Sequence, residues 1–237
     1  MPIDHSVTYK SSSLRNWPHR KRLRDILRVL EKNAALKGKT YADVGCSNGY
    51  ITSIIQKHLS PATTHGFDHD EANIELAKER FPACEFEVID LNSRNAPLMH
   101  FDVVTSFEVL EHVGSLNIAL ENILSLVSPH GGLLVLTVPI EIGWVGTLKF
   151  LLKTCVFRYS LNEISTAPGF HWQYLRSLLM GRRISGHRSE RDGWSTHFGF
   201  DYRDIDSLLN KQGVRYKASN RLTSRFYLVT KGPNTQC

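Results

Sequence analysis

The sequence predicts an α/β fold, a doubly wound and mostly parallel sheet with helices on both faces. Three observations carry that expectation. Short apolar runs alternate with helical patterns through residues 40–139, which is the rhythm of parallel strands joined by helical crossovers. Two of those runs, Phe101-Asp-Val-Val-Thr-Ser-Phe107 and Leu133-Leu-Val-Leu-Thr-Val138, are nearly continuous, as strands buried on both faces should be. The first run ends at Asp43 and feeds a turn with glycines at 45 and 49 that opens directly into a helix. At 237 residues, 41% hydrophobic and 22% charged, the chain suits one globular α/β domain with decorations rather than two full domains.

In chain order, residues 1–16 are polar and read as irregular. From Pro18 to Leu36 the apolar positions Leu23, Ile26, Leu27 and Leu30 recur at helical spacing, with Arg20, Lys21, Arg22, Arg24 and Arg28 between them. That is an amphipathic basic helix whose arginines belong on a solvated face, with phosphate contact as the second reading. Strand one, ending at Asp43, leads through the glycine turn to a helix over Tyr50–Leu59, stopped by Pro61. Thr64–Asp68 is a second strand closed by an acid, followed by a helix over Asp70–Phe81 and a third strand over Glu85–Asp90. Strand four, over 101–107, leads into Glu108-Val-Leu-Glu-His112, then a helix over Ser115–Val127, and Gly131-Gly132 turns into strand five. Residues 140–195 break the alternation. The chain regains it with a helix over Asp201–Leu209 and strands over Val214–Ser219 and Ser224–Thr230, the pattern by which a reversed seventh strand enters a sheet.

Charge is unevenly placed. Residues 1–40 carry ten Lys/Arg against three acids, residues 41–139 four against thirteen, and residues 140–237 fifteen against seven. An acidic middle between basic flanks suits an anionic acceptor or surface, and equally suits solvated helix faces. The four cysteines (46, 84, 155 and 237) show no metal or disulfide spacing, and no stretch reads as a signal peptide or a span, so the cytoplasm is the expected compartment.

The turn decides the function class. Gly45 allows a backbone angle that a side chain resists, and Gly49 lets a ligand lie against the main chain. The dinucleotide fingerprint fails, because the positions it would fill with glycine are Ser47 and Tyr50, so a nicotinamide oxidoreductase is disfavoured. Asp68 stands 23 residues after Gly45, where a carboxylate can accept both ribose hydroxyls. Together with Gly66-Phe-Asp68, Ile89-Asp-Leu91, Phe101-Asp-Val-Val104, Glu108-Val-Leu-Glu-His-Val113, Gly131-Gly-Leu-Leu134 and the His197-Phe-Gly-Phe-Asp201 lead-in to the last helix, the motif Asp43-Val-Gly-Cys-Ser-Asn-Gly49 resembles the class I S-adenosylmethionine (SAM) methyltransferases of the ubiquinone-biosynthesis type. The resemblance covers most of residues 40–230 and implies a Rossmann-like seven-stranded sheet with an antiparallel last strand.

It also implies roles. Asp43 and the turn from Gly45 through Cys46 and Ser47 to Gly49 would hold the methionine portion of SAM. Asp68 would accept from the ribose, with His69 beside the adenine. Asp90 would lie near the adenine amine, Leu91 would offer its amide to the ring, and Phe107 would line the sulfonium side. The reaction expected is methylation, on oxygen by preference, of a small, lipid- or sugar-linked anionic acceptor. Histidine, with an unperturbed pKa of about 6.5, is the natural proton acceptor, which singles out His112 and His197. Glu108-x-x-Glu111-His112 with His197 also resembles the metal-binding set of small-RNA 2′-O-methyltransferases, where a divalent cation grips a terminal ribose. That metal-assisted RNA reading is the first alternative, and a non-catalytic SAM-binding partner protein is the second. Residues 140–195, mixing Trp144, Leu148, Phe150, Leu151 and Leu152 with Lys149, Lys153 and Arg158, follow strand five at the ligand-binding edge. They are expected to form an acceptor lid, with a simple helical cap or peripheral contact with an anionic membrane as other readings. The whole chain, 1–237, is expected to be one domain with an N-terminal basic helix over 1–39.

Overall fold

A computed structural model describes residue 9 and residues 16–94, 98–152, 170–188, 190–191, 194–195 and 198–232. Its sheet has seven strands: β1 (Thr40–Val44), β2 (Thr63–Asp68), β3 (Glu85–Val88), β4 (Val103–Phe107), β5 (Leu133–Pro139), β8 (Arg215–Arg221) and β9 (Ser224–Thr230), in the order β3-β2-β1-β4-β5-β9-β8. The first five are parallel, and β9 enters antiparallel between β5 and β8. The reversed last strand expected from the sequence is therefore β9.

Alternation along the strands explains the two helical layers. Ala42, Val44, Val104, Leu134, Leu136 and Val138 face one core, completed by α4 (Leu116–Ser125) and α7 (Tyr202–Lys211) through Leu120, Ile123, Ile205 and Leu209. Their neighbours Tyr41, Val103, Leu133 and Val135 face the other, closed by α1 (Trp17–Asn33) and α2 (Tyr50–Leu59) through Ile26, Leu30 and Ile55. The third helix of the α/β alternation, α3 (Glu71–Arg80), seats Ile74 and Ala77 on Phe86 of β3. All seven residues of β5 are buried, as the apolar run required. The edge strand β8 is instead mostly exposed and carries Arg215, Lys217 and Arg221, charges that discourage pairing with another chain.

Several boundaries differ from the sequence pattern. The basic helix ends at Asn33, three residues early, and Ala35 then adopts φ +40°. The third strand stops at Val88 instead of Asp90, because the Asp90 carboxylate accepts the Asn92 backbone N–H at 2.8 Å and curls the chain out of the sheet. The described part of 140–195 contains α5 (Gly143–Leu151), α6 (Phe170–Leu179), a 3₁₀ turn over Ser185–His187 and a short hairpin of β6 (Glu190–Arg191) with β7 (Trp194–Ser195). Phe150, Tyr174, Leu178, Ile184 and Phe198 give this region a small core of its own, while Trp144 and Trp172 stand exposed. No helix among the described residues is long and apolar enough to cross a membrane.

Asp201 locks the return from this region into α7. It is 1% exposed and accepts hydrogen bonds from the Arg203 backbone (3.0 Å) and guanidinium (2.6 Å), and from the Ile184 backbone at 3.3 Å. Asp201→Ala removes a helix cap and the acceptor of a buried amide, so it should cost about 3 kcal/mol. A urea midpoint unchanged from wild type would show that water replaces the carboxylate.

Candidate active site

The site forms where β1, β2 and β4 end. Gly45 and Cys46 both donate backbone N–H groups to the Phe67 carbonyl, at 2.7 and 2.9 Å, which folds the turn back over β2. The turn runs through left-handed angles at Gly45 (φ +82°), Ser47 (+49°) and Gly49 (+72°). Ser47 tolerates the position because its N–H is fixed on Asp68 Oδ2 at 2.8 Å. A Cβ on Gly45 would lie 2.1 Å from the Val109 side chain, and one on Gly49 2.7 Å from Phe86.

A cavity of about 480 Å³ opens beside this turn. Of the residues singled out from the sequence, Asp43, Gly45, Cys46, Ser47, Asp68, His69, Leu91, Phe107, Glu108, Glu111 and His112 line it. Gly49 sits outside the lining and closes the turn by donating its N–H to the Cys46 carbonyl. Asp90 also stands outside, exposed and turned toward Asn92, although its neighbours Ile89 and Leu91 are in the wall. His197 lies outside the described residues.

Asp43 is 2% exposed and held from both sides. Thr52 donates to Oδ2 at 2.6 Å, and Thr105 to Oδ1 at 2.9 Å, with Tyr41 behind Thr105 at 2.7 Å. Burial raises its pKa to about 6, against the two hydroxyls, which favour the anion. Asp68 accepts the Ser47 N–H on one oxygen and the Asp70 N–H on the other at 3.0 Å, and His69 Nδ1 lies 3.2 Å away. Each carboxylate oxygen can accept twice, so Asp68 retains acceptor capacity toward the cavity. The Ser47 hydroxyl and the Asn73 amide oxygen are buried in the same wall with no hydrogen-bond partner among the described residues. A polar nucleoside-like ligand fits that inventory.

The opposite wall is the loop after β4. Asn92 accepts the N–H groups of Gly114 and Ser115, at 2.8 and 3.2 Å, and so pins this loop to the one after β3. Glu108 adopts φ +57° and pairs with Arg22 at 3.2 Å. Burial raises the pKa of Glu108 against the opposing Arg22 charge, and pushes that of the wholly buried Glu111 well above the carboxylate range, with the Glu108 charge adding to it. His112 is half exposed at the rim, its Nε2 4.0 Å from Glu111. Among the described residues no three His, Cys, Asp or Glu side chains gather as a metal site.

Arg22, His19 and Tyr9 also line the cavity and were not singled out from the sequence. The solvated-face expectation for the helix arginines is wrong for Arg22, whose side chain is 18% exposed, and right for Arg28 at 71%. The signal was present: Arg22 lies four residues before the buried Ile26 and so shares its face. Tyr9 places its ring 5.9 Å from Tyr50, and the other residues of the stretch before Asn16 that was expected to be irregular lie outside the described residues.

A sheet with one strand reversed between β5 and β8, and a glycine turn joining an acid-ended strand to a helix, define a class I SAM-dependent methyltransferase. The profile of the methyltransferase-domain family matches residues 16–211, and the chain belongs to that family. It is 26% identical to the ubiquinone biosynthesis O-methyltransferase of Pseudomonas aeruginosa over 244 aligned positions, covering 97% of each chain. It is 30% identical to the enzyme of that name from Coxiella burnetii over 116 residues, 47% of this chain and 49% of that one. The chain thus spans about half the length of the Coxiella relative, and likewise 46% of a relative from Invertebrate iridescent virus 6. Among solved structures, magnesium protoporphyrin IX methyltransferase from Synechocystis with bound S-adenosylhomocysteine (SAH) superposes with a TM-score of 0.62 at 16% identity, covering 96% of this chain and 92% of that one. This last similarity is one of fold.

Proposed function

We propose that the cavity holds SAM and that the protein methylates an oxygen of a small, lipid- or sugar-linked acceptor carrying negative charge. The observation that carries the reading is the convergence of the turn after β1, Asp43, Asp68 and Phe107 on one cavity that Arg22 of α1 also lines. Asp43 faces the ammonium of the methionine portion, Asp68 the ribose, His69 and Leu91 the adenine, and Phe107 the sulfonium side. Bound SAM supplies an electrophilic methyl group. The protein supplies alignment and dehydration, and orientation of this kind is worth roughly 7–11 kcal/mol. Names of the relatives support oxygen, and the basic flanks support an anionic acceptor. Residues 140–195 are assigned to the acceptor lid, and Asp90 to a supporting turn outside the cavity.

His112, at the rim, is assigned to carrying the proton shed by the acceptor oxygen out to solvent, and His197 remains the second candidate. His112→Ala and His197→Ala should each lower turnover about a hundredfold, the scale of general base catalysis, while leaving SAH affinity within about threefold. Full activity in either variant removes that histidine from the mechanism.

The test of the whole reading is calorimetric titration of the protein with SAH, with and without Mg²⁺ or Mn²⁺, followed by acceptor screening. Micromolar binding supports it, and well-folded protein that ignores SAH overturns it. Turnover that requires the metal on an RNA 3′ end would favour the alternative through Glu108, Glu111, His112 and His197.

Asp43 gives this titration a pH signature. Its carboxyl titrates near 6 in the free protein, and an ammonium placed beside it lowers that value. Ligand binding therefore expels a proton and is favoured by rising pH. SAH affinity should weaken by up to about tenfold per pH unit below 6 and level off above 7. A flat profile from pH 5 to 8 would show that Asp43 does not face the ligand's charge.

A further inference from the structure

The cofactor reading leaves Glu108, at the end of the cavity beyond β4, unused. Glu108 is the first residue beyond β4 and adopts a left-handed angle, which strains a side-chain-bearing residue. Its Oε2 is engaged by Arg22, but Oε1 is buried and accepts no hydrogen bond among the described residues. The Arg22 Nε is a buried donor with no acceptor among the described residues. Behind Glu108 stand Thr137, paired with Phe107 across β4 and β5, and Ser224, the first residue of β9. Both residues are buried to within 2%. They lie close enough to the Glu108 carboxylate to favour its charge, and neither lines the cavity. Two unsatisfied polar groups, Glu108 Oε1 and Arg22 Nε, at one end of a cavity are costly for a folded protein unless a ligand brings their partners.

We propose that Glu108 is the acceptor-binding residue: its Oε1 receives the hydrogen of a neutral hydroxyl carried on an apolar body. The inference rests on reading the cavity as a methyl-transfer site and adds the group that the protein recognises there. Phe107, Val109 and Tyr9 make the adjoining wall aromatic and apolar. An ammonium is disfavoured by Arg22 and Lys149, whose charges already act on the carboxylate, and an anion is repelled by Glu108 itself. The acceptor's hydroxyl end therefore enters the cavity, and its anionic part is left to the basic surface outside. Discrimination against the product follows. A methyl ether has no hydrogen to offer: once the proton has left by way of His112 and the oxygen carries the methyl group taken from the sulfonium, Oε1 has no partner and the product is released.

The test is calorimetric titration of the SAH-loaded full chain with phenol and with anisole, which differ only in O–H against O–CH₃. Phenol should saturate with a Kd in the millimolar range, on the order expected for so few atoms, and anisole should bind about tenfold more weakly or worse. In Glu108→Gln, Arg22 takes the amide oxygen and the NH₂ faces the cavity, so the preference for phenol should fall to about one. A merely structural lesion would weaken both probes alike and leave their ratio intact. The proposal is overturned by phenol that does not saturate, by anisole binding as well as phenol, or by a preference that survives Glu108→Gln. Phenol binding that appears only with Mg²⁺ or Mn²⁺ also overturns it, in favour of Glu108 as a metal ligand. Failure of the wild-type protein to take up SAH would instead sink the cofactor reading beneath it.

Discussion

Asp68→Ala is expected to weaken SAH binding at least about a hundredfold, because two effects fall together. The first is loss of the acceptor that faces the ribose, and hydrogen bonds to a charged group are worth about 1.5–3 kcal/mol each. The second is loss of the turn's own anchor. One Asp68 oxygen holds the Ser47 N–H and the other the Asp70 N–H, so alanine strands both donors in a wall that is 9% exposed at this residue. The left-handed angle at Ser47 then loses the bond that fixes its own N–H. Asp68→Asn separates the two effects. Its single carbonyl oxygen can keep the Ser47 N–H, so the turn and the melting temperature should be largely preserved while SAH affinity still drops. Calorimetry gives the affinities and thermal melts the turn's integrity. SAH binding by Asp68→Ala at wild-type strength would remove the ribose assignment altogether.

Asp68 was legible in the sequence, and Arg22 was not, for a physical reason. Strand, turn and helix over residues 40–59 are local: the apolar run, the glycines and the helical spacing lie side by side in the chain. The buried strands β4 and β5 were equally plain, because burial on both faces leaves a continuous apolar run. The opposite wall of the cavity is assembled by contacts that no local pattern reports. Val109 presses on Gly45 from 64 positions away, and Arg22 reaches Glu108 across 86. The left-handed angle at Glu108 leaves no composition signal, since such positions are usually marked by glycine or asparagine. Asp90 shows the converse error. An acid at a strand end looked like a ligand-facing group, but Asn92 two residues on supplied the backbone N–H of an Asx turn. Asp68 makes the same turn with the Asp70 N–H, and what separates the two is the Ser47 N–H that the glycine turn brings to Asp68, a contact no local spacing reports.

Gly45→Ala should abolish measurable SAH binding, and the reason couples the two walls of the site. The backbone at this position has φ +82°, where an alanine is strained by roughly 1–3 kcal/mol. The added methyl would also sit 2.1 Å from Val109, a distance no packed structure sustains, so the Val109 loop must move. That loop carries Glu108 and His112, and its displacement opens the cavity on the acceptor side as well as at the turn. Removing the obstacle separates the contributions. In Gly45→Ala/Val109→Ala the steric conflict is gone and the backbone strain remains, so stability should recover in part while SAH affinity stays far below wild type. A double-mutant cycle over the four proteins measures the coupling, expected on the order of 1–3 kcal/mol for residues in contact. Coupling near zero would mean that the loop yields freely. Wild-type SAH affinity in Gly45→Ala would mean that the turn does not cradle the ligand. The first result would spare the turn and revise only the loop, whereas the second would undo the assignment on which the whole site is built.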